Sequence, residues 1–94
     1  MTSWHAYLLR CADGTLYCGI TTDPARRLAE HNAGTASKYT RARLPVVMLA
    51  LAPCADKPAA LRLELAIKKL PRANKFAFLL SQPGAAEVPA GGAL

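Results

Sequence analysis

The chain has 94 residues, which suffices for one compact domain and leaves no room for a separate binding domain. Twelve Lys and Arg residues against six Asp and Glu residues give a formal charge of +6, which favours a polyanionic partner such as nucleic acid. No stretch reaches the roughly 18 apolar residues of a membrane span, and the N-terminus lacks a secretory signal pattern, so we expect a cytoplasmic protein without membrane contact.

The cysteines are odd in number: Cys11, Cys18 and Cys54. None of them lies in a Cys-x-x-Cys pair or at a zinc-like spacing from His5 or His31. Free thiols, as found in reducing compartments, are the simplest interpretation.

The first structural signal is a pair of aromatic and aliphatic runs at residues 4–10 and 15–20, separated by a short segment that contains Asp13 and Gly14. An Asp-Gly pair between two such runs is a strong signal for a β-hairpin. We therefore expect two antiparallel strands here.

Two loop lengths are compatible with this turn, and they give different arrangements of the tyrosines. A two-residue loop would place Tyr7 and Tyr17 on opposite faces of the sheet. A three-residue loop, with Gly14 in the left-handed conformation, pairs Tyr7 with Gly19 and brings Tyr17 to the same face. We predict the three-residue loop.

A helix is predicted over residues 24–33. Asp23 is a good N-cap residue, the following proline suits the first helical position, and Gly34 suits the end of a helix. Arg27 and His31 are four residues apart and therefore share one face of this helix.

The second half of the chain alternates between polar and apolar segments. Residues 34–45 are polar, basic and rich in turn formers, so we expect a loop, whereas residues 46–52 form a continuous apolar run typical of a buried strand. Helices are predicted over residues 56–70 and 72–80, each with a proline where a helix tolerates it.

The end of the chain has a different composition. Residues 81–94 are rich in Pro, Gly and Ala and show no periodicity. We therefore predict a single domain over residues 1–80, followed by a flexible tail.

Several of these segments together resemble the GIY-YIG endonuclease superfamily, and most closely its small stand-alone bacterial branch, the YhbQ-like proteins. The matching segments are HAY at 5–7, YCG at 17–19, GITTDPARRLAEHN at 19–32, the basic segment at 36–45 and LRLELAIKKLPRANK at 61–75. The resemblance is specific because Tyr7, Tyr17, Arg27, His31 and Glu64 follow one another at the spacing of the family.

The resemblance implies a mixed α/β (α+β) fold, in which a three-stranded antiparallel sheet is flanked by helices, and hydrolysis of phosphodiester bonds with one divalent metal, Mg²⁺ or Mn²⁺. In this family Tyr17 would be the general base, supported by Tyr7. Arg27 would bind the scissile phosphate, His31 would accept or relay a proton, and Glu64 would be the single protein ligand of the metal. These residue types suit the reaction, which needs a deprotonated nucleophile and neutralisation of the phosphoryl charge.

Each of these residues also has an ordinary structural interpretation. Strand tyrosines are usually half-buried aromatics with a hydroxyl at the rim, and a helical arginine is usually a solvated charge. Glu64 and Lys68 have the spacing of an exposed helical ion pair, which would stabilise the helix by only a few tenths of a kcal/mol.

Other residues of the matched segments are candidates for supporting roles. Gly19 is expected to allow a kink or a close approach after Tyr17. Basic and aromatic side chains fit contacts to phosphates and bases, and the candidates for nucleic-acid binding are Lys38, Tyr39, Arg41, Arg43, Lys68 and Lys75.

We therefore predict a metal-dependent endonuclease that cuts DNA, with RNA left open as a substrate. It would act as a monomer or a weak homodimer without an obligate protein partner. A non-catalytic nucleic-acid-binding module on the same scaffold is the alternative. A third hypothesis, from a different class, is a cysteine enzyme that uses Cys18 near His5 or His31.

Overall fold

Four strands and four helices are present in the computed structural model, which describes residues 3–89. In chain order they are β1 (Trp4–Arg10), β2 (Leu16–Thr21), α1 (Pro24–Asn32), α2 (Lys38–Arg41), β3 (Val47–Cys54), α3 (Lys57–Lys68), α4 (Arg72–Leu80) and β4 (Ala86–Glu87). The strands form one antiparallel sheet in the order β2-β1-β3-β4. The predicted α+β class is confirmed, but the sheet has four strands rather than three. No helix among residues 3–89 is long and apolar enough to cross a membrane.

The hairpin has the predicted three-residue loop. The N–H of Cys11 donates to the carbonyl of Thr15 at 2.8 Å, and Gly14 has a φ of 83°, in the left-handed region. Tyr7 pairs with Gly19 in the resulting register, and Leu9 pairs with Tyr17. Both tyrosines therefore lie on one face of the sheet.

Side-chain capping explains where α1 and α3 begin. Oδ1 of Asp23 accepts a hydrogen bond from the N–H of Arg26 at 3.1 Å, and Oδ1 of Asp56 accepts one from the N–H of Ala59 at 2.9 Å. Each helix has a proline in its first turn. Their C-terminal ends lie one to two residues before the predicted ones, a difference typical of fraying helix ends.

Two short elements, α2 and β4, were not predicted. The segment 34–45, expected to be a loop, contains the single helical turn α2, which begins after the N-cap Ser37. β4 lies in the segment 81–94, expected to be a tail, and pairs with Ala50 and Leu51 of β3. Elements this short have no periodicity that a sequence could reveal. The flexibility of the tail stays a prediction, and residues 90–94 lie outside the described residues.

One face of the sheet packs against α3 and α4. Ala6 and Leu8 of β1 and Cys18 of β2 form an apolar cluster there with Ile67 of α3 and Leu79 of α4. All of these side chains are almost fully buried. This face is the larger part of the core.

The opposite face carries the tyrosines. Tyr7, Leu9 and Met48 are buried there, and Leu28 of α1 packs against them. Helix α1 therefore brings its side chains over the face on which Tyr7 lies.

The side chain of Asn32 connects the end of α1 to the start of β3. Its Nδ2 donates to the carbonyl of Val46 at 3.0 Å, and its Oδ1 accepts from the N–H of Val46 at 2.8 Å. Val46 is 2% exposed, so these backbone groups have little access to water. Asn32 thus satisfies a donor and an acceptor that burial would otherwise leave unpaired.

Replacing this amide should destabilise the fold. We expect Asn32→Ala to lower the free energy of unfolding by about 1 to 3 kcal/mol, because Val46 then keeps two buried polar groups without partners. Urea denaturation followed by circular dichroism measures the change. Asn74→Ala, at an exposed position of α4, is the matched control and should change stability by less than about 0.5 kcal/mol. Equal effects of the two substitutions would contradict the role given to Asn32.

Candidate active site

The hydroxyl of Tyr7 lies directly over Gly19 of the neighbouring strand. A Cβ atom at residue 19 would overlap the hydroxyl and would lie 2.6 Å from Cζ of the Tyr7 ring. Only glycine therefore lets the ring extend across β2, which is one of the two edge strands of the sheet. This close approach brings the hydroxyl beneath α1.

His31 is fully buried and connects Tyr7 to Thr40. Its Nε2 lies 2.8 Å from the Tyr7 hydroxyl oxygen, and its Nδ1 lies 2.8 Å from Oγ1 of Thr40. The edge of its ring also contacts Tyr17, with the two ring centroids 5.3 Å apart. Burial, reinforced by the charge of Arg27, lowers the pKa of His31, so its imidazole is neutral at pH 7.

Arg27 lies one turn before His31 on the same face of α1. Its Nη1 donates to Oε1 of Glu30 at 3.3 Å, and the guanidinium lies beside the Tyr7 hydroxyl. Its Nε is buried and has no hydrogen-bond partner within residues 3–89. A buried donor without a partner is costly, and a guanidinium suits an acceptor such as a phosphate oxygen.

Tyr17 is half-buried and begins an aromatic stack. Its ring lies 5.9 Å from that of Tyr39, with an interplanar angle of 26°. Cζ of Arg43 lies 3.9 Å from the centroid of Tyr39, and Nε of Arg43 donates to Oδ2 of Asp13 at 3.1 Å. The stack therefore joins the tyrosine of β2 to the basic segment around α2.

Thr40 is a site residue that the sequence analysis did not single out. It is fully buried on α2, in the segment that was expected to be a loop. The available signal was Ser37, a good N-cap residue whose Oγ accepts from the N–H of Thr40 at 3.3 Å. Because α2 begins after Ser37, Thr40 faces His31. This contact can be recognised only when the position of α2 in the fold is known.

Glu64 lies apart from the other predicted site residues. It occupies the same stripe of α3 as the buried Ala60 and Ile67, so it faces the sheet on the side of Cys18. Its side chain is 17% exposed, and its Oε2 lies 3.6 Å from Nζ of Lys68. The structure thus brings Tyr7, Tyr17, Arg27 and His31 together, whereas Glu64 lies near Cys18 on the side of the sheet that α3 covers.

The surroundings of Glu64 fit a metal ion for which water molecules and the substrate supply most of the ligands. Within the described residues, no three His, Cys, Asp or Glu side chains converge as a metal-binding group. Mg²⁺ commonly uses one or two carboxylates together with waters and phosphate oxygens. A partly exposed carboxylate on an apolar stripe, with only a loose ion pair, matches that kind of site.

Of the six predicted nucleic-acid-binding residues, Arg43 and Lys68 are in the ion pairs with Asp13 and Glu64 described above, and the other four fall into two groups. Lys38, Tyr39 and Arg41 are exposed on α2, and the ring of Tyr39 belongs to the aromatic stack. Lys75 is engaged inside the fold, because its Nζ donates to the carbonyls of Ile67 and Lys68 at the end of α3. Lys75 is therefore less available for contacts with nucleic acid than the α2 residues.

The cysteine-enzyme hypothesis is contradicted. Cys18 is buried on the face covered by α3, whereas His31 contacts Tyr7 on the opposite face, and the alternation along β1 places His5 on that opposite face as well. Burial, with Glu64 adding to it, raises the pKa of the Cys18 thiol to about 12, which disfavours the thiolate that a nucleophile requires. All three cysteines are free.

Comparison with known proteins identifies the family of this chain. The family model described as the GIY-YIG catalytic domain matches residues 3–77. The chain belongs to the GIY-YIG family. Its fold is thus that of a domain from a nuclease family.

Relatives and solved structures support the same assignment. A UPF0213 protein of Xanthomonas axonopodis pv. citri is 52% identical over 80 residues, which cover 85% of this chain and 78% of the relative. The solution NMR structure of a UPF0213 protein from Bacillus halodurans is similar with a TM-score of 0.52 and 39% identity, covering 87% of this chain and 86% of that one. A solution NMR structure of a protein from E. faecalis has a TM-score of 0.59 and 43% identity, covering 84% of each chain.

The Tyr7 phenol should make stability depend on pH in alkaline solution. Burial raises the pKa of Tyr7 to about 12, although the neighbouring Arg27 acts in the opposite direction. The stabilisation from the neutral phenol is complete below about pH 10 and is lost as the pH rises towards 12. Over this range we expect the wild type to lose about 2 to 3 kcal/mol more than Tyr7→Phe.

Urea denaturation at pH 9, 10, 11 and 12 measures this difference, since other titrating groups are common to both proteins. Tyr39→Phe, at the exposed phenol of Tyr39, is the control and should follow the wild type. Parallel stability curves for wild type and Tyr7→Phe would show that the Tyr7 hydroxyl is not buried as described.

Proposed function

We propose that this protein is an endonuclease that hydrolyses phosphodiester bonds in DNA with the help of one divalent metal ion, Mg²⁺ or Mn²⁺. The observation that carries the proposal is the cluster on the α1 face, where Arg27 has an unpaired buried Nε beside Tyr7, and where both tyrosines contact a neutral His31. These groups provide a phosphate-binding cation and phenols near one point.

Exposure favours Tyr17 as the group that contacts the attacking water. Tyr7 is 1% exposed and its hydroxyl is engaged with His31, whereas Tyr17 is half-buried. As general base, Tyr17 would act in its phenolate form and take one proton from water while the resulting hydroxide bonds to phosphorus. The leaving oxygen would depart with the electrons of the broken P–O bond and take a proton from solvent. Tyr7 would position Arg27 and His31 rather than contact the water.

Arg27 would neutralise charge on the phosphoryl oxygens as the transition state forms. Its guanidinium is permanently charged and planar, and α1 fixes its position relative to the tyrosines. Glu64 would hold the metal ion, which supplies Lewis-acid stabilisation of the phosphate when bound. Substrate would therefore have to lie along the open edge of β2, between α1 and α3.

The exposed basic residues of α2 support a nucleic-acid substrate. Lys38 and Arg41 face solvent near the stack of Tyr17 and Tyr39, where phosphates could bind and a base could stack. Such a shallow surface favours recognition of nicks, branches or single strands over a long base sequence. We include RNA as a second polymer to test. We propose that the protein acts as a monomer or a weak homodimer. We also propose that it is located in the cytoplasm, where free thiols persist.

A cleavage panel tests the proposed activity directly. Single-stranded, nicked and branched DNA and the matching RNAs are incubated with Mg²⁺ or Mn²⁺, and we expect cleavage of at least one substrate and complete inhibition by EDTA. Glu64→Gln should lower the rate by about 100-fold or more, because the metal loses its carboxylate ligand. Glu87→Gln, on the short strand β4, is the matched control and should retain the wild-type rate.

The same panel separates catalysis from binding alone. Salt-sensitive binding that persists in Glu64→Gln and Tyr17→Phe, without cleavage by the wild type, would replace the nuclease by a nucleic-acid-binding module. Cleavage unaffected by both EDTA and Glu64→Gln would refute the metal role of Glu64.

The two tyrosines should respond differently to loss of the hydroxyl. Tyr17→Phe should keep its stability, since its ring contacts remain, and should lower kcat by about 10² to 10⁴. Tyr7→Phe should lower both kcat and stability, because His31 loses a buried hydrogen bond. Single-turnover cleavage and urea denaturation measure the two effects. Full activity of Tyr17→Phe together with an inactive Tyr7→Phe would assign the base to Tyr7.

A further inference from the structure

The hydroxyl of Thr40 is a buried polar group with a defined partner in the site. Thr40 is fully buried, and its Oγ1 lies 2.8 Å from Nδ1 of His31. The same oxygen lies 3.4 Å from the carbonyl of Ser37. Its hydroxyl can therefore accept from one neighbour and donate to the other.

The hydrogen-bond donors around Tyr7 determine whether the Thr40 hydroxyl accepts from His31 or donates to it. The neutral Tyr7 hydroxyl carries one proton, and its neighbours are Nε2 of His31 and the guanidinium of Arg27. A guanidinium has donors only. The Tyr7 hydroxyl must therefore donate to Nε2, and its oxygen remains available as an acceptor for Arg27.

This direction fixes the tautomer of His31. Because His31 is neutral and its Nε2 accepts, its proton lies on Nδ1, which donates to Oγ1 of Thr40. Thr40 then donates to the carbonyl of Ser37. In the opposite tautomer Nε2–H would donate to the Tyr7 oxygen, and the Tyr7 proton would point at the donors of Arg27.

We propose that Thr40 is a positioning residue that holds His31 in the Nδ1–H tautomer and thereby keeps the Tyr7 oxygen as an acceptor for Arg27. Tyr7, His31 and Thr40 thus form one directed series of hydrogen bonds, which runs from the Tyr7 hydroxyl beside Arg27 to the carbonyl of Ser37. Its consequence for cleavage rests on the proposed nuclease function, whereas the tautomer itself does not. These hydrogen bonds also connect α2, which carries exposed basic residues, to the position of Arg27, the side chain that would bind phosphate.

Side-chain ¹⁵N NMR at pH 7.5 measures the tautomer in the wild-type protein. We expect long-range ¹H–¹⁵N correlations in which Nδ1 of His31 is protonated and Nε2 is not. The chain has two histidines, so the spectrum of His5→Gln assigns the signals of His31. A wild-type His31 protonated at Nε2 would overturn the proposal, and this measurement requires no variant of Thr40.

Variants of Thr40 test the causal role. Thr40→Val, which has the same shape without the hydroxyl, should shift His31 towards the Nε2–H tautomer, and Thr40→Ser should retain the wild-type spectrum. In cleavage assays Thr40→Val should lower kcat by about 10- to 100-fold with little change in KM, while Thr40→Ser should remain close to the wild type. A Thr40→Val protein that keeps both the Nδ1–H tautomer and the full rate would refute the role of Thr40.

The two readouts separate this inference from the proposed function. If no substrate is cleaved but His31 has the Nδ1–H tautomer that Thr40→Val abolishes, the nuclease proposal fails and the positioning role stands. If cleavage is observed but His31 is protonated at Nε2, the nuclease proposal stands and the positioning role fails.

Discussion

The hydrogen bond between Tyr7 and His31 joins the sheet to α1, and the arrangement of the site depends on it. It requires a ring that reaches across the edge strand, which only a glycine at residue 19 permits. In the tautomer that we propose, His31 accepts this hydrogen bond at Nε2 and donates from Nδ1 to Thr40. Arg27 is then held next to the phenol by the same helix that carries His31.

Much of this arrangement could be predicted from local sequence signals. Gly14 is suited to the left-handed position of a three-residue loop, and that loop alone determines that Tyr7 pairs with Gly19. The N-cap Asp23 sets the start of α1, so the four-residue spacing of Arg27 and His31 places both side chains on one face. Short-range rules therefore predict two pairs of neighbours, Tyr7 with Tyr17 and Arg27 with His31, whereas the contact between the pairs depends on how α1 packs on the sheet.

The remaining features depend on tertiary contacts that no local rule contains. Thr40 looks like an ordinary polar residue until the short helix α2 packs beside His31. β4 has only two residues and exists because β3 offers an unpaired edge. The position of Glu64 relative to the tyrosines follows from how α3 packs on the sheet. The periodicity of α3 predicts that Glu64 lies on the buried side of the helix, but it does not predict which strand Glu64 lies near.

The cluster of Tyr7, Tyr17, Arg27 and His31, with Thr40, comes from one short stretch of chain between residues 7 and 40. The entropic cost of closing a loop rises with the number of residues it contains, so these contacts form at little cost during folding. Glu64 belongs to a later helix and reaches the sheet only when distant parts of the chain pack together. The proposed phosphate-binding cluster is thus encoded locally, whereas placing the carboxylate beside it requires the completed fold.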